Sequence, residues 1–146
     1  MFPKIFALLG VFLICAAFWV RFAPIDPANW VDIPPVDGVQ SITGPRSYLA
    51  AREVQTTQEG VLRALESAAI AAPRTQLIAG GVDQNMLVFQ TRSLIWGFPD
   101  FTTVAFQDGL LVIYGRSKFG AADLAVNRNR IIGWLSQLGP LVVTPS

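Results

Sequence analysis

The chain has 146 residues, 52% hydrophobic and 14% charged, with eleven Lys/Arg against ten Asp/Glu, one Cys and no His. That length suits one domain with a short appendage. Without His and with a single Cys, the chain excludes a Ser-His-Asp or Cys-His triad, a Cys/His zinc cluster and an intramolecular disulfide. The near-neutral balance gives no electrostatic footprint for nucleic acid.

The first predicted element is the charge-free run Ile5–Val20 (IFALLGVFLICAAFWV), bracketed by Lys4 and Arg21. Spanning a bilayer takes roughly 20 apolar residues in a helix. Lys4 and Arg21 can snorkel to the headgroups and extend the usable span from Phe2 to Ala23. Trp19 sits where an indole favours the interface. Residues 1–23 are therefore expected to be a transmembrane anchor contacting lipid through residues 5–20. A cleaved secretory signal with Cys15-Ala16-Ala17 as its cleavage site competes, although Phe18, Trp19 and Val20 continue the apolar run past that site. A lipoprotein at Cys15 is opposed by bulky Ile14. Lys4 and the α-amino group put the N-terminus in the cytoplasm by the positive-inside rule. The expected address is thus a bacterial inner membrane, crossed once, with the C-terminal domain in the periplasm. Setting Lys4 and Arg21 aside leaves nine basic groups against ten acidic ones, a net of −1, which predicts no anionic-lipid clamp.

Residues 24–45 hold Pro24, Pro27, Pro34, Pro35 and Pro45 and read as a semi-rigid spacer that lifts the domain off the membrane. Residues 46–146 form the domain. Ser47–Gln55 is a predicted strand. Thr56 and Glu59 match a capping box, opening a helix with Val61, Leu62, Leu65, Ala68 and Ala69 on one face and Pro73 as its stop. Strands follow at Arg74–Ala79, Asn85–Ser93, Phe101–Phe106 and Leu110–Tyr114, the last two joined by the hairpin signal Asp108-Gly109. Asn127 is expected to cap a final helix carrying Ile131, Trp134, Leu135 and Leu138, ended by Gly139-Pro140. This order predicts an α+β fold: a single transmembrane helix, a spacer, then an antiparallel sheet of about five strands with two helices on one face.

Two segments stand apart: Thr91–Val104 (TRSLIWGFPDFTTV) and Tyr114–Gly120 (YGRSKFG), the latter running on through Asp123 to Asn127. With the terminal Trp-Leu helix, they resemble the bacterial domain-of-unknown-function family 1499 over roughly Arg46 to Leu138. Phe101, Gly115 and Ala125 depart from the residues usual there. The resemblance implies a membrane-associated or exported α+β domain and no particular activity.

In structural terms Gly97 and Pro99 set turns, Asp100 and Asp123 cap turns or helices and pair with Arg92 and Arg116 across a sheet edge, and Asn127 caps its helix. A sharper alternative has Arg74, Arg92 and Arg116 converging at strand ends on a phosphate or carboxylate. Leu94, Ile95, Trp96 and Phe98 form an apolar loop that either folds over the sheet as core or, if exposed, needs a partner or a membrane surface. Catalysis would rest on Asp100 with Asp123, or on Ser93 or Ser117 activated by Lys118. Adjacent Ser117 and Lys118 point to opposite sides of a strand, so no catalytic residue, metal or cofactor is expected. The expected function is that of a non-catalytic, membrane-anchored accessory or assembly subunit of a larger inner-membrane, energy-transducing complex, with other membrane-protein subunits as partners. The alternative is a periplasmic small-anion or lipid-binding module using the arginines.

Overall fold

A computed structural model describes residues 2–119 and 125–143; Gly120 and Asp123 lie outside them. Helix α1 spans Phe2–Phe22. Its Lys4–Phe22 stretch is long and apolar enough to cross a membrane and is buried against nothing else in the chain. The helix stops two residues before Pro24, whose ring disfavours helical backbone in the residue ahead of it.

Six strands follow: β1 (Gln40–Thr43), β2 (Ser47–Arg52), β3 (Thr75–Gly81), β4 (Met86–Arg92), β5 (Pro99–Gln107) and β6 (Leu110–Ser117). They form one sheet in the order β1-β2-β6-β5-β4-β3, with every neighbouring pair antiparallel. The β5–β6 hairpin turns at Asp108 and Gly109, both at positive φ (49° and 83°), as a tight type I′ connection requires. Helices α2 (Gln58–Ala71) and α3 (Val126–Leu138) pack on one face. Their Val61, Leu62, Leu65, Ile131 and Trp134 bury against Leu87, Phe89, Val104, Leu111 and Ile113. Gly115 admits α3: a Cβ there would lie 3.0 Å from both Asn127 Oδ1 and Ile131 Cδ1.

The α+β architecture is the one expected, with a sixth strand in place of about five. The extra strand, β1, comes from the segment assigned to the spacer, and that segment does not stand off the domain. It straps the sheet face opposite the helices. A short 3-10 turn at Pro27–Trp30, capped by Asp26 accepting from the Ala28 amide, lays Trp30 flat on Phe101 with ring centroids 3.7 Å apart. The Thr103 hydroxyl donates to the Trp30 carbonyl. Further along, Ile33 and Val36 pack on Leu49, Ala51 and Val112. Prolines here serve as a pre-extended strap: they remove amide donors that a segment lying across side chains, rather than pairing in a ladder, could not satisfy.

Two predicted caps differ. Thr57, not Thr56, caps α2, accepting from the Gly60 amide at 3.1 Å. Asn127 lies inside α3 and is fully buried, while Ala125 holds the cap position without a side-chain bond.

Because the strap is the only cover on that face of β5 among the described residues, Trp30→Ala is expected to lower stability by about 3 kcal/mol, the low end for truncating a packed aromatic. Denaturant unfolding of the detergent-solubilised chain checks this; an unchanged midpoint would mean that the strap is not held.

Candidate functional site

The antiparallel register gathers one end of every long strand beside the last turn of α1. Arg92 ends β4 opposite Pro99 at the start of β5, Arg116 lies at the end of β6 opposite Ser47, and Thr75 opens β3 opposite Thr91. Arg46, Arg74 and Lys118 flank these strand ends, and α3 begins there with Arg128 and Arg130 in its first turns. The far end carries Glu53, Glu59, Asp83 and Asp108 with Arg52 and Arg63. Asp100, paired with Arg130, is the acid at the basic end among these groups, so the described charges are unevenly divided between the two ends of the sheet, which composition could not reveal.

At the basic end, a cavity of about 310 Å³ is lined by Arg21, Arg74, Thr75, Gln76, Gln90, Arg92, Ser93 and Leu94. Among the described residues, three guanidinium groups and no carboxylate line it. Arg74 Nε donates to the Arg92 carbonyl (3.0 Å), and Arg92 Nη1 donates to the Gly97 carbonyl (2.9 Å). Burial, and then the neighbouring Arg21 cation, lower the Arg92 pKa below the usual arginine value. An arginine keeps its proton in a folded protein, so this unfavourable environment makes the site receptive to a negative charge. A second observation is independent of charge. Gln90 is only 3% exposed; its Oε1 accepts from Gln76 Nε2 at 2.9 Å, and its own Nε2 donor has no partner. A buried donor left without an acceptor costs about 1–3 kcal/mol, and the Gln90 side chain is part of the cavity lining.

The three predicted arginines do not all converge. Arg74 and Arg92 line the cavity, whereas Arg116 is two strands from Arg92 and covered by the strap. Its Nη2 donates to the Trp30 carbonyl at 2.6 Å, and its guanidinium lies 5.2 Å from the Trp30 ring and 4.8 Å from that of Tyr114. Burial lowers its pKa, opposed by Tyr114 and Asp32. The third cation of the cavity is instead Arg21, which the sequence presents only as the far flank of an apolar run. Gln90 was equally invisible as a site residue, although a glutamine after Leu87-Val88-Phe89 breaks a buried strand and is the available signal.

The apolar loop is not core. Leu94 and Ile95 are 74% and 79% exposed and Trp96 half-exposed, while half-buried Phe98 forms the base against Trp96 and Phe119. Gly97 takes a positive φ of 68°, and Pro99 is buried at the start of β5.

The remaining candidates form a buried structural network. Asp100 accepts from Arg130 Nη2 at 2.9 Å, with the two side chains only 13% and 11% exposed. Arg130 Nη1 donates to Asn127 Oδ1 (2.7 Å), and Asn127 Nδ2 donates to Ser117 Oγ (2.9 Å). Asp100 thus pairs with an arginine, as anticipated, but with Arg130 on α3 rather than with Arg92 or Arg116. Ser93 Oγ accepts from the Phe98 amide at 2.9 Å and closes the loop. Both serines are engaged in structure.

The family model described as Protein of unknown function (DUF1499) matches residues 27–138. The chain belongs to the DUF1499 family. The match begins at Pro27, the first residue of the turn that carries Trp30, so the strap is part of the DUF1499 domain and not a linker to it. No curated protein and no solved structure matches the chain.

Asp100→Ala in this DUF1499 chain leaves the Arg130 guanidinium buried and unpaired, and is expected to cost about 3 kcal/mol. Replacing both partners together (Asp100→Leu with Arg130→Met) is expected to recover most of that loss. Denaturant midpoints of the two variants decide it.

Proposed function

We propose that the protein is a non-catalytic, membrane-anchored module whose domain binds a small oxyanion, phosphate or carboxylate, in the Arg21–Arg74–Arg92 cavity. The observation that carries this reading is a cavity lined, among the described residues, by three arginines and no acid, with Gln90, whose Nε2 is unpartnered, in its wall. Phosphate is the better fit of the two, because its oxygens can accept from two guanidinium groups and the Gln90 amide together. The engagement of Ser93, Ser117 and Asp100 in structural hydrogen bonds supports a binding role over catalysis. With α1 as the anchor, Lys4 and the α-amino group favour a cytoplasmic N-terminus and a periplasmic domain in a bacterial inner membrane.

Titration calorimetry of the full chain in neutral detergent against inorganic phosphate, glycerol phosphate and acetate tests the binding. Arg74→Gln is expected to weaken phosphate binding about tenfold, the worth of one charge-assisted hydrogen bond. Gln90→Leu is expected to weaken binding with little net change in stability, since it deletes an unsatisfied buried donor together with the hydrogen bond from Gln76. Absence of heat with all three anions would remove the proposal.

The second reading is an accessory or assembly subunit of a larger inner-membrane, energy-transducing complex. It is favoured by the single apolar helix with every face exposed. Gentle solubilisation and capture through a C-terminal tag test it: co-elution with a defined assembly at fixed ratio supports it, and a lone protein removes it.

A further inference from the structure

Outside α1, Leu94 and Ile95 are the most exposed large apolar side chains among the described residues, and Trp96 stands beside them. A mobile apolar loop would hide such groups, but this one is fastened at its base. The Ser93 amide donates to the Phe98 carbonyl at 2.9 Å, the Phe98 amide donates back to Ser93 Oγ at 2.9 Å, and Arg92 Nη1 holds the Gly97 carbonyl at 2.9 Å. The tip is therefore presented and cannot collapse onto the sheet.

Its position relative to α1 says what it faces. A Cβ on Gly97 would lie 3.3 Å from Arg21 Nη1 and 3.8 Å from Arg21 Cγ, so the loop stands level with the last turn of the apolar helix. In a spanning helix the terminal arginine marks the headgroup layer. Leu94, Ile95 and Trp96 then stand at the boundary between headgroups and acyl chains, where an indole is favoured. Two more apolar side chains, Ile70 at the end of α2 and Val126 at the start of α3, are 53% and 48% exposed at the same end. Exposed Arg74 and Arg128 and half-buried Lys118 rim this end of the domain, with a sign that suits anionic headgroups.

We propose that Leu94–Ile95–Trp96 is a membrane wedge, inserted into the interfacial layer of the same bilayer that α1 crosses, with the arginine-rich end of the sheet held against anionic lipid. The wedge rests on the anchoring part of the function proposed above and is independent of the anion cavity. It fixes the tilt of the domain: the helix supplies attachment and the wedge a second point of contact.

The test uses the full chain carrying Cys15→Ala and Ile95→Cys, labelled with an environment-sensitive nitrobenzoxadiazole probe and reconstituted into phosphatidylcholine vesicles with and without phosphatidylglycerol. A second chain, with the probe at Asp83→Cys on the far end of the sheet, is the reference. Both sites are exposed, so labelling leaves the core intact. Both chains are expected to float with the vesicles. Only the probe at position 95 is expected to shift to the blue and be quenched by lipids spin-labelled near the headgroup, more strongly with anionic lipid. Adding Arg128→Glu, at an exposed rim position that does not line the anion cavity, is expected to reduce that anionic enhancement by about fivefold or more, the factor for one basic group at a charged surface. Flotation with both probes equally wet would overturn the wedge and leave the anchor standing. Failure to float would overturn both. Protection of position 95 only when a membrane extract supplies proteins would assign the loop to a protein partner and overturn the wedge.

Discussion

The stack of Trp30 on Phe101, with the Trp30 carbonyl held by Thr103 and Arg116, seats the start of the strap on the sheet. A six-stranded sheet with helices on one face leaves its second face in need of cover. Here the cover is a proline-rich strap fed directly from α1. The strap pins its own start over β5, so the last turn of α1 must lie at the β4 end of the sheet, and Arg21 must lie beside Arg74 and Arg92. The cavity follows from where this ring lands, because Arg21 reaches Arg74 and Arg92 only through the strap.

Arg92 and Arg116 sit on the same face of the sheet and illustrate two solutions to one problem. Both are partly removed from water, which disfavours the cation. Arg116 is compensated within the fold by a carbonyl and two aromatic faces, the environment in which a planar, weakly hydrated guanidinium is most at ease. Arg92 receives a single carbonyl and a second arginine as its neighbour. The fold offsets much of the first charge, although Arg116 Nε stays buried without a partner among the described residues, and it supplies far less to the second. That difference separates a structural arginine from one suited to binding.

Much of the architecture was legible in the sequence because it is encoded locally. The periodicity of Val61, Leu62 and Leu65, the alternation of β4 and the Asp108-Gly109 turn each act within a few residues. β1 was not legible: four residues among prolines become a strand only through their register on β2. Asn127 looked like a cap because asparagine at a helix start usually is one, yet its side chain is drawn inward by Ser117 and Arg130, partners set by tertiary packing. The candidate site was half legible. Arg74 and Arg92 lie at strand ends that local pattern could locate, whereas Arg21 and Gln90 join them only across the strap, and net charge carries no information about where charges lie.

Only Ala23, Pro24, Ile25 and Asp26 separate the last residue of α1 from the turn that carries Trp30. Four extended residues reach at most about 14 Å, and one of them is proline. With α1 in a bilayer, the sheet is thus leashed within a molecular thickness of the lipid and cannot patrol the aqueous space. Its encounters become lateral: whatever it meets must diffuse in the membrane or arrive at its surface, and search takes place in two dimensions. On so short a leash, detachment of a surface contact is followed by rapid recapture, because the lost partner is always within reach.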